Sequence, residues 1–132
     1  MKKYITKEEY RDWKGVDLDV ELHDLDDASN KAPRFIKQIT DWCVEYLQTK
    51  YRAFELDKWP DEGDPTDAIL TEKRQRLFRQ GVADQIEYVL SNGNIAQNAG
   101  LNIDTGLITD LSRIELSRSA RNKFHLAGFC NI

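Results

Sequence analysis

The chain has 132 residues and a net charge of −4, with a pI near 5.2. Apolar residues make up 40%, charged ones 32%, and the mean hydropathy is −0.64, which suits a folded globular protein and is too apolar for a disordered one. The acidic balance excludes an overall positive field that would draw the chain to DNA or anionic lipid. No run approaches the about 18 apolar residues that span a bilayer.

The length predicts a single domain over residues 1–132 with a modest core. The start, MKKYITKEEYRDW, has two lysines but no apolar stretch behind them, so neither a signal peptide nor a membrane segment is expected. Cys43 and Cys130 lack metal or redox spacing, which predicts free thiols.

Thr6-Lys7-Glu8-Glu9 fits the capping box, in which a threonine hydroxyl and a glutamate three residues on satisfy each other's backbone donors. A short helix over Lys7 to Lys14 should follow and stop at Gly15. Six carboxylates then crowd between Asp17 and Asn30, interleaved with Leu18, Val20, Leu22 and Leu25. The run lacks the glycine and spaced terminal glutamate of an EF-hand loop, and reads as a solvated linker whose acids precede the positive end of a helix.

Phe35, Ile36, Ile39, Trp42, Cys43, Tyr46 and Leu47 recur at three- and four-residue intervals, predicting a helix from Lys31 or Pro33 to about Glu55. Trp42 reads as core. Leu56 to Asp67 packs two prolines, a glycine and five acids into a surface loop, on which Trp59 is a candidate partner contact.

Thr66 or Asp67 should cap a long helix whose inner stripe is Ile69, Leu70, Leu77, Phe78, Val82, Ile86, Val89 and Leu90. Lys73, Arg74, Arg76 and Arg79 fall largely outside that stripe. Asn92-Gly93 ends the helix, because both residues tolerate the left-handed conformation.

From Ser91 to Thr109 the only charged side chain is Asp104. The glycines, asparagines and short apolar pairs predict a hairpin or extended arm, about 91–113, which gains order against a neighbour. Ser117 should cap a final helix with Ala120, Phe124 and either Leu126 or Ala127 inward, stopped by Gly128, leaving a tail to Ile132. The fold class is therefore mainly α: a bundle of about four helices with an extended loop or β-hairpin arm between the last two.

Chemistry-bearing patterns are scarce. His23 and His125 lie in different segments without a serine or cysteine nucleophile pattern. His125 and Cys130 are only two candidate ligands. No phosphate-binding glycine loop occurs. Basic clusters in EKRQRLFRQ and RIELSRSARNK read as solvated or protein-contacting helix faces before phosphate grips. No catalytic residue, metal or cofactor is expected.

YITKEEY opening a short helix, APRFIKQITDWCVEYL, GVADQIEYVLSNGN, a weakly charged arm and LSRSARNKFHLAGF together resemble the head–tail connector (adaptor) proteins of long-tailed bacteriophages. The likeness is densest over Gly81 to Asn94 and Leu116 to Phe129. Asp17 to Asp27 and Leu56 to Asp67 depart from the family pattern.

The resemblance implies a non-enzymatic virion neck protein that docks as a ring, usually of twelve copies, beneath the portal protein. There it extends the DNA channel and carries the stopper. On that reading Phe124, Leu126, Phe129 and Ile132 are portal-contact candidates. Ile95, Leu101, Ile103, Leu107, Ile108 and Trp59 are candidates for contact with a neighbouring subunit or the stopper. DNA only passes through the ring, and its phosphates are repelled by carboxylates.

Two other readings use the same helices. A generic helical module, such as an inhibitor or antitoxin, predicts a one-to-one complex and an arm already ordered in the single chain. A DNA-packaging accessory predicts salt-dependent DNA binding.

Overall fold

The first ordered turn is set by Thr6, whose hydroxyl accepts from Glu9 N–H at 3.1 Å while the Glu9 carboxylate accepts from Thr6 N–H at 3.2 Å. The capping box is therefore complete, and helix α1, Lys7–Lys14, ends at Gly15 in the left-handed conformation, φ 71°. The computed structural model describes residues 3–22, 30–58, 72–91, 93–102 and 104–130, with the side chains of 58 and 93–95 outside that description.

Part of the acidic stretch is structured. Asp17 caps a single helical turn, α2, Leu18–Glu21, by accepting from Asp19 N–H at 3.0 Å. Leu18 and Leu22 are buried completely or nearly so. The expected linker thus begins as an anchored turn, because two leucines at a four-residue spacing find a core to enter. His23 and the acids from Asp24 to Asp27 lie outside the described residues.

Helix α3, Lys31–Tyr51, is the central element, burying Phe35, Ile36, Ile39, Cys43 and Leu47. It ends four residues before the expected Glu55. Arg52 adopts the left-handed conformation, φ 57°, and the backbone N–H groups of Arg52 and Ala53 turn back to Gln48 and Leu47 carbonyls. That closure satisfies the last carbonyls without a glycine. A 3-10 turn, Phe54–Lys58, follows.

Helix α4, Glu72–Ser91, buries Phe78, Val82, Ala83, Ile86 and Val89. The proposed caps Thr66 and Asp67, the stripe positions Ile69 and Leu70, Trp59, and Asn92 lie outside the described residues. Arg79 corrects the expectation of an outward basic face: it is 6% exposed and paired with Glu9 of α1. Lys14 likewise meets Asp84 and, at 3.6 Å, Glu87, so three ion pairs among the described residues join α1 to α4.

A short helix α5, Gly93–Asn98, stands where an extended arm was expected to begin. An antiparallel pair then follows: β1, Leu101–Asn102, and β2, Leu107–Ile108, with Leu101 opposite Ile108 and Asn102 opposite Leu107. After a 3-10 turn at Leu111–Arg113, helix α6, Arg118–Leu126, is capped by Ser117, whose hydroxyl accepts from Ala120 N–H at 3.0 Å. The fold is mainly α with one small hairpin between the later helices, around one contiguous core cluster.

Candidate protein-interaction site

Among the described elements, the most extensive packing is α4 against α6. Gly81 makes it close: a Cβ at this position would lie 2.5 Å from Phe124 Cε1. Phe124 lies against Phe78 with centroids 5.5 Å apart and the rings tilted by 35°, and Phe129 meets the same ring edge-on at 5.8 Å. Arg74 covers Phe129 at 5.0 Å, donates to the Ala127 carbonyl at 2.7 Å and pairs with Glu55 at 2.6 Å.

This arrangement revises the docking face expected at the C-terminus. Phe124 and Phe129 are 0% and 1% exposed, filling the core of the single chain rather than waiting for a partner. Ala127, not Leu126, faces inward, leaving Leu126 67% exposed. Ile132 lies outside the described residues. Leu126 is thus the one exposed side chain of that set among the described residues.

The segment entering α6 is gripped by Gln85, which is fully buried on α4. Its Oε1 accepts from Ser117 N–H at 2.8 Å and its Nε2 donates to the Glu115 carbonyl at 2.9 Å. Gln38 does the same for the arm: Nε2 donates to the Ile108 carbonyl at 2.8 Å, and Oε1 accepts from Ile108 N–H at 2.7 Å. A side-chain amide thereby mimics another backbone strand.

The arm is consequently docked on its own α3, contrary to the expectation that it gains order only against a neighbour. Ile108 is 4% exposed, while Leu101 and Leu107 are half-buried. Gly106, φ 72°, passes so close to Lys31 that a Cβ would lie 2.9 Å from the lysine Cβ. Ile103 and the side chain of Ile95 fall outside the description. Neither Gln38 nor Gln85 stands out in the sequence, since a side-chain amide carries no periodic signature.

Beside the arm, an open groove of about 530 Å³ is lined by Trp42, Glu45, Tyr46, Thr49 and Lys50 of α3 and by Leu111 and Ser112. Trp42, expected in the core, is half-buried here, with its ring 5.5 Å from that of Tyr46. Lys50 lies over the Tyr46 and Tyr51 rings at 5.5 and 5.8 Å, and its ammonium donates to the Tyr46 hydroxyl at 3.2 Å. Groups of this kind suit contact with an apolar or mixed surface.

No cluster of three or more His, Cys, Asp or Glu side chains with metal-binding geometry occurs among the described residues. Both cysteines are free, and burial pushes each thiol upward, Cys43 the more strongly. His125 is exposed on α6. No described helix is long and apolar enough to cross a membrane.

Comparison with known proteins returned no match among family models, curated proteins or solved structures.

Proposed function

We propose that the chain is a structural neck protein of a long-tailed bacteriophage. In this role it is a head–tail connector that docks as a ring beneath the portal, extends the DNA channel and supports the stopper. The observation that supports the reading is that its two most connector-like stretches form one packed unit. GVADQIEYVLS supplies the inner end of α4, and LSRSARNKFHLAGF folds back on that helix as α6, with the arm spanning the return.

Binding, not catalysis, is the chemistry of such a protein: subunit surfaces are mutually buried around a closed axis. Acidic composition favours a lumen along which DNA phosphates slide. Leu126, protruding from a helix with no acidic residue, is the portal-contact residue among those described.

Mixing the purified protein with portal rings from the same genome and imaging the product by electron microscopy tests this. A coaxial ring added to the portal is expected. Leu126→Asp should prevent its addition while leaving helix content unchanged; docking preserved in that variant rejects the Leu126 assignment.

A second reading, a one-to-one helical interaction module, draws support from the arm, which is already packed through Gln38 in the single chain. No association with portal rings, together with a stable folded monomer, would favour it.

A further inference from the structure

Val20, Phe54 and Leu126 are the large apolar side chains exposed among the described residues, and their charge settings differ. Val20 shares its short turn with Asp19 and Glu21, and Phe54 shares its own with Glu55 and Asp57. Leu126 alone of the three belongs to a helix without a carboxylate.

At about 100° per residue, Arg118, Ser119, Arg121, Asn122, His125 and Leu126 share the arc of α6 opposite the buried Ala120, Phe124 and Ala127, and all six are exposed. Neither arginine makes an ion pair among the described residues, whereas Arg74 and Arg79 of the neighbouring α4 both do. Glu115, the nearest side-chain carboxylate in sequence, precedes the helix and pairs with neither. Lys123 lies on the flank toward α1, beside Asp12 and Asp84, and is not part of this face. Both arginines also occupy the first turn, the positive end of the helix dipole, where α1 places Glu8 and Glu9.

We infer that the outer face of α6 docks an acidic protein surface, whose carboxylates meet Arg118 and Arg121 while an apolar recess receives Leu126. Carboxylates match the planar guanidinium fork and offset two cations that the helix dipole disfavours. The exposed leucine selects a protein over a nucleic acid, because a phosphate backbone offers it no apolar contact. A helix of nine residues is also only about 13 Å long, so a duplex laid along it would run onto a chain of net charge −4. The face is preorganised, since the Ser117 cap, the Gln85 hydrogen bonds and the close approach at Gly81 hold α6 on α4 before a partner arrives. Naming the portal as the owner of that acidic surface rests on the connector reading; the chemistry of the face rests on α6 alone.

Two measurements test it. In the first, docking to portal rings from the same genome is compared for the natural chain, Arg118→Glu with Arg121→Glu, and Arg118→Lys with Arg121→Lys. Charge reversal should weaken docking about tenfold or more, and the lysine pair should retain most of it, which a misfolded helix would not. Raising sodium chloride from about 0.05 to about 0.5 M should weaken the natural chain as well, because the screening length falls about threefold.

In the second, backbone amide shifts are followed by NMR as a glutamate–leucine copolymer, a lysine–leucine copolymer or a DNA duplex is added to the natural chain. The acidic copolymer should move residues 118–126 and the basic one should not. Docking unchanged by charge reversal rejects the α6 face and leaves the connector reading standing. Copolymer shifts on α6 without portal docking do the reverse. Absence of both, or a stronger response of α6 to DNA than to the acidic copolymer, overturns the inference.

Discussion

At Gly81 a single missing methyl group determines how closely two helices approach. An alanine Cβ would sit 2.5 Å from the Phe124 ring and 3.1 Å from Lys123 Cβ. Overpacking of this kind costs about 1–3 kcal/mol, more than the ~1 kcal/mol that alanine gains in helix propensity. Gly81→Ala should therefore lower stability in urea unfolding, and adding Phe124→Leu should recover part of the loss. An unchanged midpoint would mean that α6 shifts without cost. Gln85→Ala removes both hydrogen bonds to the segment before α6 and leaves Ser117 N–H and the Glu115 carbonyl unmatched. About 1–3 kcal/mol should be lost, measurable in the same experiment.

The thiols differ on this scale too. Burial raises both pKa values, so at a given alkaline pH each carries less thiolate than a free cysteine. Cys130 is part-buried and should be alkylated first, its rate rising with pH as thiolate forms. Cys43 is fully enclosed in α3 and should react only as the protein opens. Equal rates at both positions would contradict that placement.

Among the elements, the arm owes its position to a neighbour brought close by the fold. Gln38 and Ile108 are 70 residues apart, yet they exchange two hydrogen bonds. Gln38→Ala should release the hairpin first: amide exchange at Ile108 should rise well above that of the α3 core, while α4 and α6 keep their protection. Uniform acceleration across the chain would show that the arm is part of one cooperative unit.

The low charge of 91–109 and its glycines were legible as a hairpin or extended arm, and of the two the structure has the hairpin, pairing Leu101–Asn102 with Leu107–Ile108. The α5 turn and the docking were not legible, because a short helix has weak periodicity and a glutamine signals no partner. Similarly, Leu18 and Leu22 anchor α2 inside a stretch whose acids dominate any reading of composition.

Across the whole molecule, α1 is tied to α4 through Arg79–Glu9 and Lys14–Asp84, and Arg79 also lies 5.7 Å from the Trp13 ring. Arg79→Ala removes a nearly buried cation and its packing, which should cost about 1–3 kcal/mol. The loss should be smaller when Glu9→Gln is already present; strict additivity would indicate that the pair is uncoupled.

The sequence alone determined the helical class, the capping box at Thr6, the Ser117 cap, the stop at Gly15 and the place of a non-helical arm between the last helices. Each depends on residues a few positions apart, whose propensities act before any long-range contact forms. Only tertiary structure decided that Phe124 and Phe129 turn inward while Leu126 turns out, that Arg79 is buried, and that Trp42 lines an open groove. Those outcomes depend on which surfaces meet in space. Helical periodicity specifies that a side chain lies on a given stripe, but not whether another element arrives to cover it.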